Sequence, residues 1–496
     1  MTAVGGSGSE QGDGGTGVSA VANVSEFDVI VLGAGSTGEN AADYAVRGGL
    51  TAALVESELV GGECSYWACI PSKALLRTPD AVAAARRLPG VRVEYDPPAV
   101  LARRDEFTKH WSDEGQVSWV KGAGITLMRG HARLAGVRRV AVTGGDGHER
   151  ELYARHAVVV CTGSVPITPS IPGLDDVRVW HYREATSAKR VPGRLGVLGG
   201  GAAGVEMAQA WASLGAEVTL LARDSRLLPW AEPFAGELVA NGLRSVGVDV
   251  RLDSSLDAVA RDGEGIELRF SAPENGTESR RVDELLIATG RRPNTAGIGL
   301  AELGLDEQGP LRVDDSGLVL GLDGDWLYAA GDVTGRAPLT HQGKYAARIA
   351  GAAIVARANG DAATPEPWSE FAATADHVAV PQVVFTDPEV ATVGLTAEKA
   401  TAAGHNVHTV DLDIAVAGSS LYADGYNGKV RAVIDADRDV MLGVTFVGPD
   451  VAELLHAATI AVAGEVPLGR LWHAVPAYPT VSEVWLRLLE ACRSGS

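Results

Sequence analysis

Cysteine is scarce in this chain, with four in 496 residues. So few exclude a secreted scaffold stapled by disulfides, and any close pair reads as chemistry instead. Positive charge is also short. Lys and Arg number 43 against 63 Asp and Glu, a net charge of −20, which argues against nucleic acid or an anionic membrane as partner. No run of about 18 apolar residues occurs, so no transmembrane helix is expected. Met1 to about Ala22 has neither a basic region nor an apolar core, so we read no signal or transit peptide there. The Gly/Ser-rich, acidic stretch 1–25 is expected to be a disordered tail. What remains is ordinary for a globular protein, 46% hydrophobic and 21% charged. Its length predicts roughly three to four domains of a cytoplasmic protein.

Two of the four cysteines stand together in Gly61-Gly62-Glu63-Cys64-Ser65-Tyr66-Trp67-Ala68-Cys69, followed by Ile70-Pro71-Ser72-Lys73. In a regular helix, Cα atoms five apart are roughly 8.6 Å from each other. A disulfide needs about 7 Å or less, so Cys64 and Cys69 can bond only across a distorted first helical turn. Such a pair would be strained, near a helix N-terminus and reducible, as redox catalysis requires. A zinc half-site would need two further ligands, and no second Cys pair or Cys/His cluster occurs in the chain. No metal ligands are assigned.

The chain also repeats a nucleotide-binding unit. Phe27 to Leu32 is a buried strand, Gly33-Ala34-Gly35-Ser36-Thr37-Gly38 a tight loop, and a helix follows to about Arg47. A second strand runs from Thr51 to Val55 and ends at Glu56, 23 positions after Gly33. Gly33, Gly35 and Gly38 permit close approach of backbone N–H groups to a pyrophosphate, and Glu56 can accept ribose hydroxyls. The second copy has strand Arg194–Leu198, the glycines Gly199, Gly201 and Gly204, and strand Glu217–Leu221. The same count of 23 lands on Ala222, beside Arg223 and Arg226. A carboxylate there would repel a 2′-phosphate and arginines would pair with it, so NADPH is favoured over NADH. The alternative is two solvated loop arginines. Thr162-Gly163 and Thr289-Gly290 each end an apolar strand in a turn beside a nucleotide site. Cys161, inside an apolar run, is expected to be an inert core residue.

Taken together, these motifs resemble the class I pyridine nucleotide–disulfide oxidoreductases, the family of dihydrolipoamide dehydrogenase, glutathione reductase and mercuric reductase. The resemblance runs from about Phe27 to Glu490 and takes in three further motifs. Arg129-Gly130-His131-Ala132 resembles a backbone contact to the FAD adenine. Leu327-Tyr328-Ala329-Ala330-Gly331-Asp332 resembles the motif whose Asp binds the ribityl chain. Pro381 to Glu389 resembles the opening of a dimerisation domain. It implies an α/β fold: an FAD domain at 26–175, an NAD(P) domain at 176–299, a central flavin-contacting segment at 300–375 and a dimerisation domain at 376–496. Asn359–Asp376 reads as the linker before the last. It also implies tightly held FAD touched by Gly62, Lys73, Ala132, Thr162, Gly163 and Asp332, with Gly290 at the second nucleotide. Cys69 would be the charge-transfer thiol and Cys64 the interchange thiol. Lys73 and Glu206 would pair near the flavin, where a cation stabilises negative charge on the reduced ring. A small-molecule substrate and a homodimer follow.

The chain departs from the family in two places. The family's His-Pro-Thr-x-x-Glu supplies an acid–base His, held by the Glu, to the partner's cysteines. Here the segment is Tyr478-Pro479-Thr480-Val481-Ser482-Glu483. A phenol of pKa about 10 is a poor base where an imidazole of about 6.5 works near neutrality. His473, five residues upstream, is expected to pack at the interface instead. Between the cysteines stand Ser65, Tyr66, Trp67 and Ala68, and the aromatics are expected to narrow the substrate entrance. Tyr478 is shared with mercuric reductases, but those carry a C-terminal Cys-Cys where this chain has Cys492 alone. A metal reductase, an NAD(P)H oxidase or quinone reductase, and a flavin-bound redox sensor stay as alternatives.

Overall fold

A computed structural model describes residues 24–94, 96–272 and 276–494. The expected tail lies outside the described residues up to 23, and its end is corrected: Ser25 already belongs to the first strand.

Strand Ser25–Leu32 sits between the parallel strands Ala52–Glu56 and Glu149–Val160. Thr126–Arg129 lies beyond the former, and Leu327–Ala329 returns from the central segment to lie beyond the latter. Val29, Ile30, Val31 and Leu32 are fully buried because both faces of the sheet are covered. On one face, helices Ser36–Arg47 and Thr340–Ala358 bring Ala41, Ala42 and Ala45 against Ala347 and Ala350. On the other, Ile30 and Val158 meet Leu134, Val140 and Val142 of an antiparallel meander.

The second parallel sheet has the order Asp249–Arg251, Glu217–Leu221, Arg194–Leu198, Glu284–Ile287. Helix Ala202–Ser213 covers one side, and three antiparallel strands between Ser255 and Val282 cover the other. The repeat read in the sequence is thus one plan built twice. Ser164–Pro166 pairs antiparallel with Arg291–Pro293, and this ribbon joins the two units.

A five-stranded antiparallel sheet follows, in the order Pro381–Val384, Glu389–Gly394, Val440–Gly448, Lys429–Asp435, Val407–Asp413. Alternation along its central strand sends Val444 and Phe446 to helices Leu455–Ala463 and Glu483–Ser494. Val447 points the other way, into the core shared with Ala202–Ser213. Buried side chains bolt that junction: Gln209 Oε1 accepts from Asp387 N (2.7 Å) and Glu232 Oε1 from Ala397 N (2.7 Å). The stretch read as a linker is tied down as well, with Arg357 Nη2 donating to Ala363 O and Tyr345 OH to Ala372 O. Among the described residues, no helix is long and apolar enough to cross a membrane.

Candidate active site

The two glycine loops use their glycines identically. Gly33 and Gly199 have φ of +94° and +127°, and a Cβ on either would lie within 2.5 Å of the next strand's carbonyl oxygen. A Cβ on Gly38 or Gly204 would lie 1.9 or 2.0 Å from the carbonyl oxygen of Gly33 or Gly199. At Gly35 and Gly201 nothing stands within 4 Å. The outer glycines therefore serve packing, and the middle one leaves open a space at the helix N-terminus where a pyrophosphate fits.

A cavity of about 570 Å³ opens from the first loop. Gly33, Gly35, Glu56, Gly62, Ala132, Thr162, Gly163 and Asp332 all line it, and Cys64 lies on its wall. Glu56 caps the loop, accepting from Ala34 N at 2.6 Å. Gly62 (φ +60°) crosses so close to the loop that a Cβ would meet Gly35 Cα at 2.7 Å. Asp332 accepts from Ser164 Oγ (2.6 Å), and Thr162 Oγ1 donates to Asn294 O (2.6 Å). Glu63 Oε2 is buried on this wall without a hydrogen-bond partner. The open cradle at Gly35, the Glu56 carboxylate and this orphaned acceptor fit a large dinucleotide carrying N–H and O–H donors, as FAD does.

The cysteines bear out the distorted turn. Helix Gly62–Tyr66 stops at Trp67, Ala68 has φ −122° and ψ −98°, and a new helix Cys69–Arg86 begins at Cys69. Here the two are free thiols, each shifting the other's ionisation. The neighbouring Cys64 thiol, acting as a donor toward the Cys69 sulfur, is the main cause holding the Cys69 thiol below the ordinary cysteine range, against the effect of burial. Thr340 Oγ1 (3.3 Å) and the charge of Lys73 add to it. Cys64, as donor, is raised, and burial raises it further. Thr340 heads its own helix 271 positions along the chain, so no local signal in the sequence marked it.

Lys73 Nζ lies 2.7 Å from Glu206 Oε2, and Glu206 is buried. Burial works against the charge on Lys73, but Glu206, Tyr182 and Cys69 together outweigh it and the shift is upward. Phe385 N donates to the other Glu206 oxygen (3.0 Å), so the dimerisation domain helps to hold this pair. Tyr182 OH, also unmarked in the sequence, reaches Glu206 Oε2 at 3.5 Å.

Other expectations fare differently. Tyr66 does not narrow an entrance: it is 3% exposed and its hydroxyl donates inward to Val60 O, so it is a core residue. Trp67 carries the Arg183 guanidinium 4.1 Å above its ring. Cys161 is buried as expected, and burial pushes its thiol up to about 12. At the second loop Ala222 is buried, Arg223 is exposed and Arg226 Nη2 donates to Pro229 O (3.0 Å). Gly290 has φ +133° and its carbonyl accepts from Ile167 N. Tyr478 and His473 are both exposed. Glu483 does not hold Tyr478; it accepts instead from Gly418 N (3.0 Å) and Arg487 Nη2 (3.2 Å).

Residues 27–353 match the family model described as pyridine nucleotide-disulphide oxidoreductase, and residues 380–488 match the dimerisation domain of the same family. The chain belongs to the pyridine nucleotide-disulphide oxidoreductases. A dihydrolipoyl dehydrogenase of Chlorobaculum tepidum is 35% identical over 92% of this chain and 95% of that protein. A mercuric reductase of Streptomyces lividans is 32% identical over 92% and 94%. The HOCl-induced flavoprotein disulfide reductase RclA of Escherichia coli, solved as a Cu(II) complex, superposes with a TM-score of 0.78 at 25% identity, covering 94% of this chain and 99% of that one. This family member is therefore a flavoprotein disulfide oxidoreductase, with FAD and a pyridine nucleotide as its cofactors and a domain for dimerisation.

Proposed function

We propose that this protein passes electron pairs between NADPH and a disulfide-type acceptor through Cys64 and Cys69, as a cytoplasmic homodimer. Segments 26–175, 176–299, 300–375 and 376–496 act as the FAD, nucleotide, flavin-returning and interface units. The observation that carries the reading is Cys69 at the head of its helix, five residues from Cys64 across a broken turn and 3.3 Å from Thr340 Oγ1. When bound, FAD supplies a two-electron relay between nicotinamide and disulfide. Gly62, Glu56, Ala132, Thr162, Gly163 and Asp332 hold it. Reduction breaks the Cys64–Cys69 bond, leaving Cys69 as thiolate, favoured by Thr340, Lys73 and its helix N-terminus. Glu206 fixes Lys73 in place. Cys64 then attacks the acceptor and Cys69 closes the disulfide again. In sum, NADPH, a proton and RSSR give NADP⁺ and two RSH. Tyr478 of one protomer faces the other's Cys64 and lacks the basicity that thiol oxidation at neutral pH requires.

Anaerobic NADPH titration, followed by a panel of disulfides, mercuric ion and quinones, tests this in the wild type and in Cys64→Ser and Cys69→Ser. Disulfide reduction should be lost in both variants. Quinone reduction that survives them, with no disulfide turned over by the wild type, would instead support flavin-only chemistry. Tyr478 and the mercuric reductase relative favour a metal reductase as second reading. It requires Cys-dependent turnover of mercuric ion above that of every disulfide.

A further inference from the structure

Glu63, directly before the interchange cysteine, has one satisfied oxygen and one orphan. Oε1 accepts from Arg183, whose remaining nitrogens take Glu58 and whose guanidinium lies on Trp67. Oε2 is buried on the cavity wall with no hydrogen bond; Arg291 Nη2, which donates to Ser164 O, stands 3.8 Å from it, an ion pair too long to be a hydrogen bond. Cys64, Asp332, Arg183 and Arg291 share that wall. Leaving a buried acceptor unpaired is costly, and more so for a charged group, so a native site pairs it with something. Arg183 clamps the side chain, so Oε2 cannot turn away to find a partner elsewhere.

We propose that Glu63 is a cofactor-binding and potential-setting residue. Its free oxygen accepts a hydrogen bond from an N–H or O–H of the flavin–ribityl half of FAD and sets a negative charge beside it. The Asp332 carboxylate on the same wall marks that half of the cavity, resting on the reading of the cavity as the FAD site. A carboxylate at this point disfavours the negative charge that a reduced flavin carries, so it lowers the flavin potential.

The test uses the full chain with Cys64→Ser and Cys69→Ser in every arm, so that flavin reduction is observed alone. Apo-protein is titrated with FAD by fluorescence, and the holo-protein is equilibrated with a redox dye. Glu63→Leu should weaken FAD binding about tenfold or more, as loss of one charged hydrogen bond implies. Glu63→Gln keeps an acceptor but not the charge. It should bind within about threefold and shift the dye equilibrium about tenfold towards reduced flavin, about 30 mV for a two-electron couple. Glu58→Ala, which removes Arg183's other partner, controls for a loosened clamp: a loss of FAD affinity in Glu63→Leu no larger than that in Glu58→Ala overturns the proposal. Unaltered affinity in Glu63→Leu, or an unmoved dye equilibrium in Glu63→Gln, overturns the proposal. A parent protein that binds no FAD would overturn the reading of the cavity itself.

Discussion

Glu483 and Tyr478, five residues apart, do not touch: the carboxylate is engaged by Gly418 N and Arg487, and the phenol stands 73% exposed. An imidazole placed at 478 would therefore find its orienting carboxylate already occupied. Tyr478→His alone should raise dihydrolipoamide oxidation by less than the roughly 10²–10⁴-fold that a positioned acid–base group provides. Adding Arg487→Ala frees one oxygen of Glu483, and the double variant should gain more than the single. Wild-type activity should rise toward alkaline pH. The pH–rate profiles of the three proteins decide it. A full gain from Tyr478→His by itself would show that Glu483 swings freely.

The reduced pair should hold Cys69 as thiolate at a pH where ordinary thiols are protonated. The sign follows from its causes, since a hydrogen bond from Cys64 and another from Thr340 both favour the anion. Thr340→Val should move the thiolate titration upward by up to about one unit, the worth of one modest hydrogen bond. The thiolate absorbance against pH, read in the dithionite-reduced protein, measures this. Titration at an unchanged pH in Thr340→Val would contradict it.

The matched glycines allow the two nucleotide sites to be attacked separately. Gly35→Ala adds a Cβ into open space, so the fold should stand while FAD affinity falls. Gly201→Ala should keep its flavin and raise KM for NADPH. Gly38→Ala and Gly204→Ala collide with backbone carbonyls and should destabilise the protein by about 3 kcal/mol, the upper end of what overpacking typically costs, because a backbone wall cannot give. Thermal unfolding and retained flavin absorbance separate these outcomes.

Arg223 and Arg226 provide the test of cofactor choice. Changing both to Ala should lower kcat/KM for NADPH about tenfold or more, the scale of a lost phosphate pair, and leave NADH unaffected. Equal losses with the two nucleotides would make these arginines bystanders.

The periodicity and glycine spacing of Phe27–Glu56 and Arg194–Arg226 were enough to read both nucleotide units, because those constraints act within about 30 residues. The broken turn between Cys64 and Cys69 was legible for the same reason: helix geometry alone forbids closure without it. Lys73 and Glu206 could be marked by motif position, though their 2.7 Å contact spans 133 residues of chain. Thr340 could not, and Phe385, though inside the Pro381–Glu389 motif, gave no sign of its contact to Glu206, because each reaches its partner only when distant segments pack. The aromatics beside the cysteines show the limit most plainly. Sequence determined that Tyr66 and Trp67 stand between the two cysteines. Only the tertiary structure decided that Tyr66 turns inward to Val60 and Trp67 lies under Arg183, since the direction of a side chain out of a broken turn depends on what surrounds it. The same holds for Glu483, which its place in a family-like motif marked as a catalytic partner and which packing placed against Gly418.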